Sequence, residues 1–174
     1  IVAFAEAALV YGAAAQKYKN YKTDELVSED RPYALPAGLA ESFTVTKNDD
    51  HAYITAAGVH FDYVNRMYFK FYAEDISRVT VSVAGTEVDP EDIISLGGNI
   101  YQVYTDAIYA SDLLYDSSVN VLLYWDGSNS ASSVCTYSVI KYIARKGKAL
   151  NAEAIGDLAR ALYYYAEAAY NLAA

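Results

Sequence analysis

The chain has one cysteine, Cys135, one tryptophan, Trp125, one methionine, Met67, two histidines and three prolines in 174 residues. A single cysteine excludes an intrachain disulfide framework. Neither histidine, His51 or His60, stands in a metal-ligand spacing such as HExxH. His60 lies two residues from Asp62 and is read as one half of a surface pair. The segment "DGSNSASS" (126–133) lacks the GxSxG nucleophile elbow and is read as a hairpin loop. Cys135 has no neighbouring histidine and is read as a small buried hydrophobe. No catalytic constellation, cofactor motif or EF-hand loop appears, so a non-catalytic chain without cofactor or metal is expected. The loop carboxylates Asp49, Asp50, Asp89, Glu91, Asp92, Asp112 and Asp116 form a solvated acidic surface on this reading; a loop-bound calcium ion is the alternative.

Basic charge is also scarce: 13 Lys and Arg face 22 Asp and Glu, for a formal net charge of −9 and a pI near 4.6. That balance argues against nucleic acid or an anionic membrane surface as a partner. The apolar opening "IVAFAEAALVYGAAA" carries Glu6, has no basic leader and is shorter than the roughly 20 residues of a membrane span. It is read as a structured helix, in a chain expected to be a piece of a longer protein, and no membrane insertion is expected.

What the chain has in abundance is alanine at its ends and tyrosine throughout. A hydrophobic fraction of 54% is ample for a core, and 19 tyrosines against five phenylalanines suit half-wet faces and interfaces. Residues 1–19 contain no proline and are alanine-rich, which predicts a helix of about five turns. Gly12 within it costs ~1 kcal/mol relative to alanine and suggests close approach of its backbone to a neighbour. The stretch 22–38, punctuated by Pro32, Pro36 and Gly38, reads as a connector.

From about residue 41 the apolar period changes to two. Phe43 and Val45, then Met67, Phe69 and Phe71, then Val79, Val81 and Val83, then Val119, Val121 and Leu123 each fall on one face of a strand and are the predicted core. Trp125 shares the phase of Leu123 and is assigned to that core. Turn signals at Gly85, "LGGN" (96–99) and "DGSNSASS" separate the runs, giving six to eight short strands in an antiparallel, Ig-like β-sandwich. The segment 109–118 is read as a corner crossing between the sheets. After residue 138 the helical period returns, with "VIKYIARKG" ended by Gly147 and a long helix begun by Asn151 as N-cap with Glu153 in its first turn. The expected organisation is an α+β chain. Residues 1–38 form a helix and connector, 39–139 the sandwich, and 140–174 a helical hairpin packed with the first helix.

Two segments at opposite ends look alike. "ALVYGAAAQKY" (8–18) and "ALYYYAEAAYN" (161–171) align at an offset of 153 with identities at Ala8, Leu9, Tyr11, Ala13 and Ala15. "YGAAAQKY" (11–18), "NYKTDELV" (20–27), "YSVIKYIARK" (137–146) and "ALYYYAEAAYNL" (161–172) together resemble a module recurring in multimodular surface and secreted proteins of gut clostridia. In that module a closing helix carries the "YGAAAQ" segment. The last helix here departs from it, with Tyr165 in the glycine's place and Ala169 in the glutamine's. The resemblance implies an extracellular or cell-surface location in a Gram-positive bacterium, a non-catalytic accessory role and neighbouring modules of the same polypeptide as partners. It supplies no functional residues. On it rests a further expectation, that residues 1–20 are the closing helix of a preceding module.

Aromatic side chains opposite the core phase are the candidate binding surface: Tyr68, Lys70 and Tyr72, with Asn120, Tyr124 and Asp126. Sugar rings stack on aromatic planes while amides and carboxylates take hydroxyls, so polysaccharide is the alternative partner and carbohydrate binding the alternative to a structural, interacting module. The bland reading is that these tyrosines pack beneath helices or pair across strands.

Overall fold

The structure is a computed structural model that describes residues 1–29, 33–39, 43–61, 64–114, 118–148 and 153–174. Expectations placed on Pro32, Asp62, Asp116 and Asn151, and on the side chain of Glu153, lie outside the described residues. The chain divides into two compact units, one of residues 1–42, 109–117 and 139–174, the other of residues 43–108 and 118–138.

The first unit is helical. Helix α1 (Val2–Lys19) is built on alanine and stops at Asn20, which takes the left-handed conformation at φ 51°, ψ 45°. Asparagine tolerates that region, and the turn lets the Asn20 N–H donate to the Lys17 carbonyl and the Tyr21 N–H to the Gln16 carbonyl. Helices α2 (Val139–Gly147) and α3 (Glu153–Ala173) follow, and α3 packs against both α1 and α2. Ala7, Ala13 and Ala14 of α1 and Ala159, Ala161 and Ala166 of α3 are buried. Small side chains let helix backbones approach, and larger rings fill the flanks. The Tyr11 and Tyr165 rings stack 5.3 Å apart with planes 6° from parallel. Gly147 ends α2 against the Leu35 side chain, and its carbonyl accepts from Arg160 Nη1 at 2.5 Å. Residues 110–112 form a short 3-10 turn that packs on α3, and Leu113 after it is fully buried. The segment expected as a sandwich corner therefore belongs with the helices.

The second unit holds nine strands among the described residues. They are β1 (Thr44–Lys47), β2 (Ala52–Phe61), β3 (Asn65–Ala73), β4 (Val79–Val83), β5 (Thr86–Glu87), β6 (Ile94–Gly97), β7 (Ile100–Tyr104), β8 (Val119–Trp125) and β9 (Ser133–Tyr137). They form two antiparallel sheets, of order β1-β9-β8-β4-β5 and β2-β3-β7-β6. With three helices beside them, the chain is α+β with a β-sandwich-like unit. The β4–β5 turn places both Ala84 (φ 53°) and Gly85 (φ 85°) in the left-handed region, the geometry whose twist matches a tight hairpin.

The period-two phase decides which side chains meet between the sheets. Met67, Phe69 and Phe71 of β3 are fully buried, as are Val121 and Leu123 of β8, and Val81 is 1% exposed. Phe69 meets Tyr137 of the other sheet edge to face at 6.4 Å. Phe43, Val45, Val79 and Val119, at strand ends, are half-buried. Cys135 is buried on β9. Strand β2, unassigned by the sequence pattern, contributes Ala52, Ile54, Ala57, Val59 and Phe61 to the same interior. A bulge between Ile54 and Ala56 breaks its alternation. Buried Ser133 joins the sheets, its hydroxyl donating to the Thr46 carbonyl at 2.6 Å and accepting from the Ile54 N–H at 3.1 Å.

Candidate functional site

The six candidate residues divide between the two sheets. Tyr68, Lys70 and Tyr72 lie on β3 and face away from the core, all half-buried. Asn120 and Tyr124 face away from the core on β8, in the other sheet, and Asp126 sits in the turn after β8 at φ 53°. The two groups therefore occupy opposite outer faces of the β unit and do not form one platform. Asn120 is engaged by the Thr136 hydroxyl at 2.7 Å, and Asp126 by Arg78 at 2.7 Å. The guanidinium holds the Asp126 carboxyl below the usual carboxylate range.

On the four-stranded sheet the cross-strand register assembles the β3 residues with partners that the sequence pattern does not reveal. Tyr68 pairs with Gly58 of β2 and with Tyr104 of β7. A Cβ at residue 58 would lie 2.6 Å from the Tyr68 Cζ, so the tyrosine ring lies across the strand in the space the glycine leaves. Tyr72 pairs with Tyr53, their rings stacked 5.2 Å apart, and the Lys47 ammonium stands 3.8 Å over the Tyr53 ring. Lys70 stands between the tyrosines, paired with Ala56 and Gln102, its ammonium 5.6 Å from the Tyr68 ring. Arg66 pairs with His60, and both approach Tyr104, the guanidinium at 4.8 Å and the imidazole at 5.7 Å. The face is a ladder of tyrosine rings with cations between them. Gly58, Arg66, Tyr53 and Tyr104 were missed because strand phase alone does not give register. The usable signal was positional: paired residues around the β2–β3 hairpin, such as 58 with 68 and 60 with 66, share one sum.

A second cluster gathers at one end of the β unit. Trp125, expected in the core, is only half-buried, at the last residue of β8. Its ring stacks on His51 at 5.0 Å with planes 9° from parallel, and Arg78 lies 4.6 Å from the ring centre. His51 Nδ1 contacts the Glu74 carboxylate, and that hydrogen bond raises the imidazole above its ordinary pKa. The neighbouring Ser77 hydroxyl donates to Asp75 at 2.7 Å rather than to His51. His51 precedes β2 and Glu74 follows β3, so their contact fastens the ends of that strand pair together. His60, for its part, keeps company with Tyr104 and Arg66.

In the helical unit a groove of about 340 Å³ is lined by Phe4, Ala7, Tyr33, Tyr164, Glu167 and Leu172 among others. The Tyr164 hydroxyl donates to the Ala34 carbonyl at 2.7 Å and its ring lies 3.9 Å from Tyr33, so both tyrosines are already engaged.

Among the described residues no group of three or more His, Cys, Asp or Glu could hold a metal ion, and no helix is long and apolar enough to cross a membrane. No protein-family model, curated protein or solved structure matches the chain.

Proposed function

We propose that the chain is a non-catalytic interaction module of a multimodular bacterial surface or secreted protein, and that it binds carbohydrate on the outer face of its four-stranded sheet. The observation that carries this reading is the tyrosine ladder itself. Tyr68 spread across Gly58 is half-buried, as is Tyr72, so part of each ring is open to solvent on the outer face. Aromatic planes held on strands rather than loops are preorganised for stacking against sugar rings, and neighbouring polar groups supply hydroxyl partners.

The same reading takes the β unit as Ig-like. The sheet orders β2-β3-β7-β6 and β1-β9-β8-β4-β5, with chain crossings between sheets after β1, β3, β5 and β7, support it: β2 to β9 follow the order of the ABED and GFC sheets of that class, with β5 added beside β4 and β1 beside β9. The surface location is supported by the likeness of "YGAAAQKY" and "YSVIKYIARK" to clostridial surface modules. A fold of this kind carries many functions, so binding is argued from the face alone.

Affinity electrophoresis in gels containing individual polysaccharides tests the proposal. Retardation by at least one polysaccharide is expected, lost in Tyr68→Ala and Tyr72→Ala and kept in Tyr124→Ala on the opposite sheet. Retardation that survives both β3 substitutions would place binding elsewhere.

A structural role, as a spacer stacked in an array, is the second reading. It draws on Leu9 (49% exposed) and Tyr18 (41%) of α1 and on Leu172 (48%) of α3, apolar residues on the segments that resemble one another. Deleting residues 1–20 tests it. Aggregation or dimerisation is expected of an array unit, and an unchanged monomer with an unchanged melting temperature would make α1 a passenger.

A further inference from the structure

We propose that the ligand of the tyrosine face is an acidic polysaccharide, its carboxylate or sulfate groups held by Lys70 and Arg66. This rests on the carbohydrate-binding reading above and narrows it to a charge class.

The first ground is where the charges lie. The chain carries 22 acidic residues, yet none falls within β2, β3, β6 or β7. Those strands do carry Lys70 and Arg66. A positive face on a protein of net charge −9 is a local reversal of sign, and a ligand of positive charge would be repelled there and attracted almost everywhere else.

The second ground is that, among the described residues, these cations contact tyrosine rings and no carboxylate. Lys47 pairs with Asp50 and Arg78 with Asp126. Among the described residues neither Lys70 nor Arg66 has a carboxylate partner. Arg66 Nε is buried and has no hydrogen-bond partner there, although its guanidinium lies 4.8 Å from the Tyr104 ring. The buried Nε is closed to a ligand, so an incoming anion would accept from the Nη groups of the same guanidinium.

The third ground is spacing. Tyr68 and Tyr72 are four residues apart on one strand, about 13 Å, with Lys70 midway between them. An extended polymer stacking on both rings would carry its intervening residue past the ammonium. A neutral sugar there would leave Lys70 with hydroxyls only, whereas a uronate or sulfated sugar would supply its counter-charge. The preference for a glycan over an acidic polypeptide comes from the rings. Gly58 clears space for the Tyr68 ring to lie across the strand, an arrangement suited to a flat saccharide and of no use to a chain of exposed carboxylates.

Titration calorimetry of the intact chain against four probes decides the matter: polygalacturonate, chondroitin sulfate, neutral glucomannan and poly-glutamate. Binding to at least one acidic polysaccharide is expected to exceed binding to glucomannan by tenfold or more. It should weaken severalfold on raising salt from about 0.05 to 0.5 M, as screening of exposed charges requires. Lys70→Ala and Arg66→Ala should each weaken it about tenfold, and Lys70→Arg should retain most of it. Tyr68→Phe, which keeps the ring, separates a loss of stacking from a loss of fold in Tyr68→Ala. Glucomannan bound as tightly as the acidic polymers, with Lys70 dispensable, would overturn the charge selectivity and leave carbohydrate binding standing. Poly-glutamate bound as tightly would show a surface for acidic protein and overturn both. No binding by any probe would do the same.

Discussion

The two units solve the problem of making an interior with different materials. The helical unit encloses Leu113, Ile143, Leu158 and Leu162, but the helices α1 and α3 that pack together bury alanine after alanine, Ala7, Ala13 and Ala14 on one and Ala159, Ala161 and Ala166 on the other. The β unit buries Met67, Phe69, Phe71 and Tyr137, each fully enclosed. An alanine interface gains stability through close approach of helix axes and has no room to give. An aromatic core gains it from area removed from water, roughly 25 cal/mol per Å², and loses most when a ring is taken away. The buried alanines of α1 and α3 should therefore be most sensitive to enlargement, and the rings of the β unit to truncation.

The largest effect expected is Phe69→Ala, a loss of ~3–5 kcal/mol in the β unit. Trp125 is the only tryptophan and lies in that unit, so urea unfolding followed by its fluorescence reads the change directly. A loss below ~1 kcal/mol would mean that the interior tolerates a vacancy at its centre and the contrast fails. The counterpart in the helical unit is Ala13→Leu, with Ala13 1% exposed. Added volume there should cost ~1–3 kcal/mol, seen in helical circular dichroism on heating. An exposed position such as Leu9, 49% exposed, should accept Leu9→Ala with a change under ~0.5 kcal/mol.

The comparison also shows what was legible in the residues and what was not. Phe69 between Tyr68 and Lys70 announces a strand and its phase, because a period of two leaves one face apolar. Strand β2 has the same role but reads "AYITAAGVHF": small residues lower the contrast between faces, and the bulge at Ile54/Ala56 shifts the phase midway. Trp125 follows the phase of Leu123 yet is only half-buried at the last residue of β8, since phase says which way a side chain points and not how deeply it is covered. The candidate face was half legible for a similar reason. Tyr68, Lys70 and Tyr72 share a strand, whereas Gly58, Tyr53, Tyr104 and Arg66 join them through hydrogen-bond register. Tyr124 and Asn120 obey the same outward phase on the wrong sheet, because alternation carries no label for which sheet a strand enters.

Within the helical unit the two similar helices differ in the residues where their sequences part. On α1, Gln16 Nε2 donates to the Lys22 and Glu25 carbonyls at 3.3 and 3.1 Å, and its Oε1 accepts from the Val27 N–H at 2.9 Å. Gly12, one turn back, leaves room for Val27, whose Cγ2 would stand 3.1 Å from a Cβ at residue 12. Gly12 and Gln16 thus hold the following loop onto the helix, and the neighbour that the Gly12 backbone approaches is the Val27 side chain. At the aligned positions α3 has Tyr165, which stacks on Tyr11, and Ala169. The "YGAAAQ" segment is a loop-docking device that α3 lacks. Gln16→Ala should cost ~1 kcal/mol, the worth of a few exposed hydrogen bonds, and should speed amide exchange at Val27 while leaving α3 amides unchanged.

The smallest effects sharpen the contrast through pH. In the helical unit burial, with Tyr165 beside it, pushes the Tyr11 phenol up from 10.0 to about 12. The unfolded chain therefore releases that proton first. The stability linked to Tyr11 is complete below pH 10 and is lost as pH rises toward 12. In the β unit the Glu74 hydrogen bond raises exposed His51 above 6.5. Its contribution is complete below pH 6.5 and is lost as pH rises through the raised value, a small effect because both groups are more than half exposed. The two units should respond in separate windows. Raising pH past the His51 titration should lower the β-unit midpoint slightly, by Trp125 fluorescence, and Glu74→Gln should remove that slope. Between pH 10 and 12 the helical unit should lose stability, and Tyr11→Phe, which keeps the stacked ring and removes the ionisable hydroxyl, should flatten part of the decline. Other tyrosines and the lysines titrate in the same alkaline range, so the informative quantity is the difference between Tyr11→Phe and the parent chain at each pH. Equal slopes for the two would mean that Tyr11 ionises as readily folded as unfolded, and that the α1–α3 interface is wetter than its stacked rings imply.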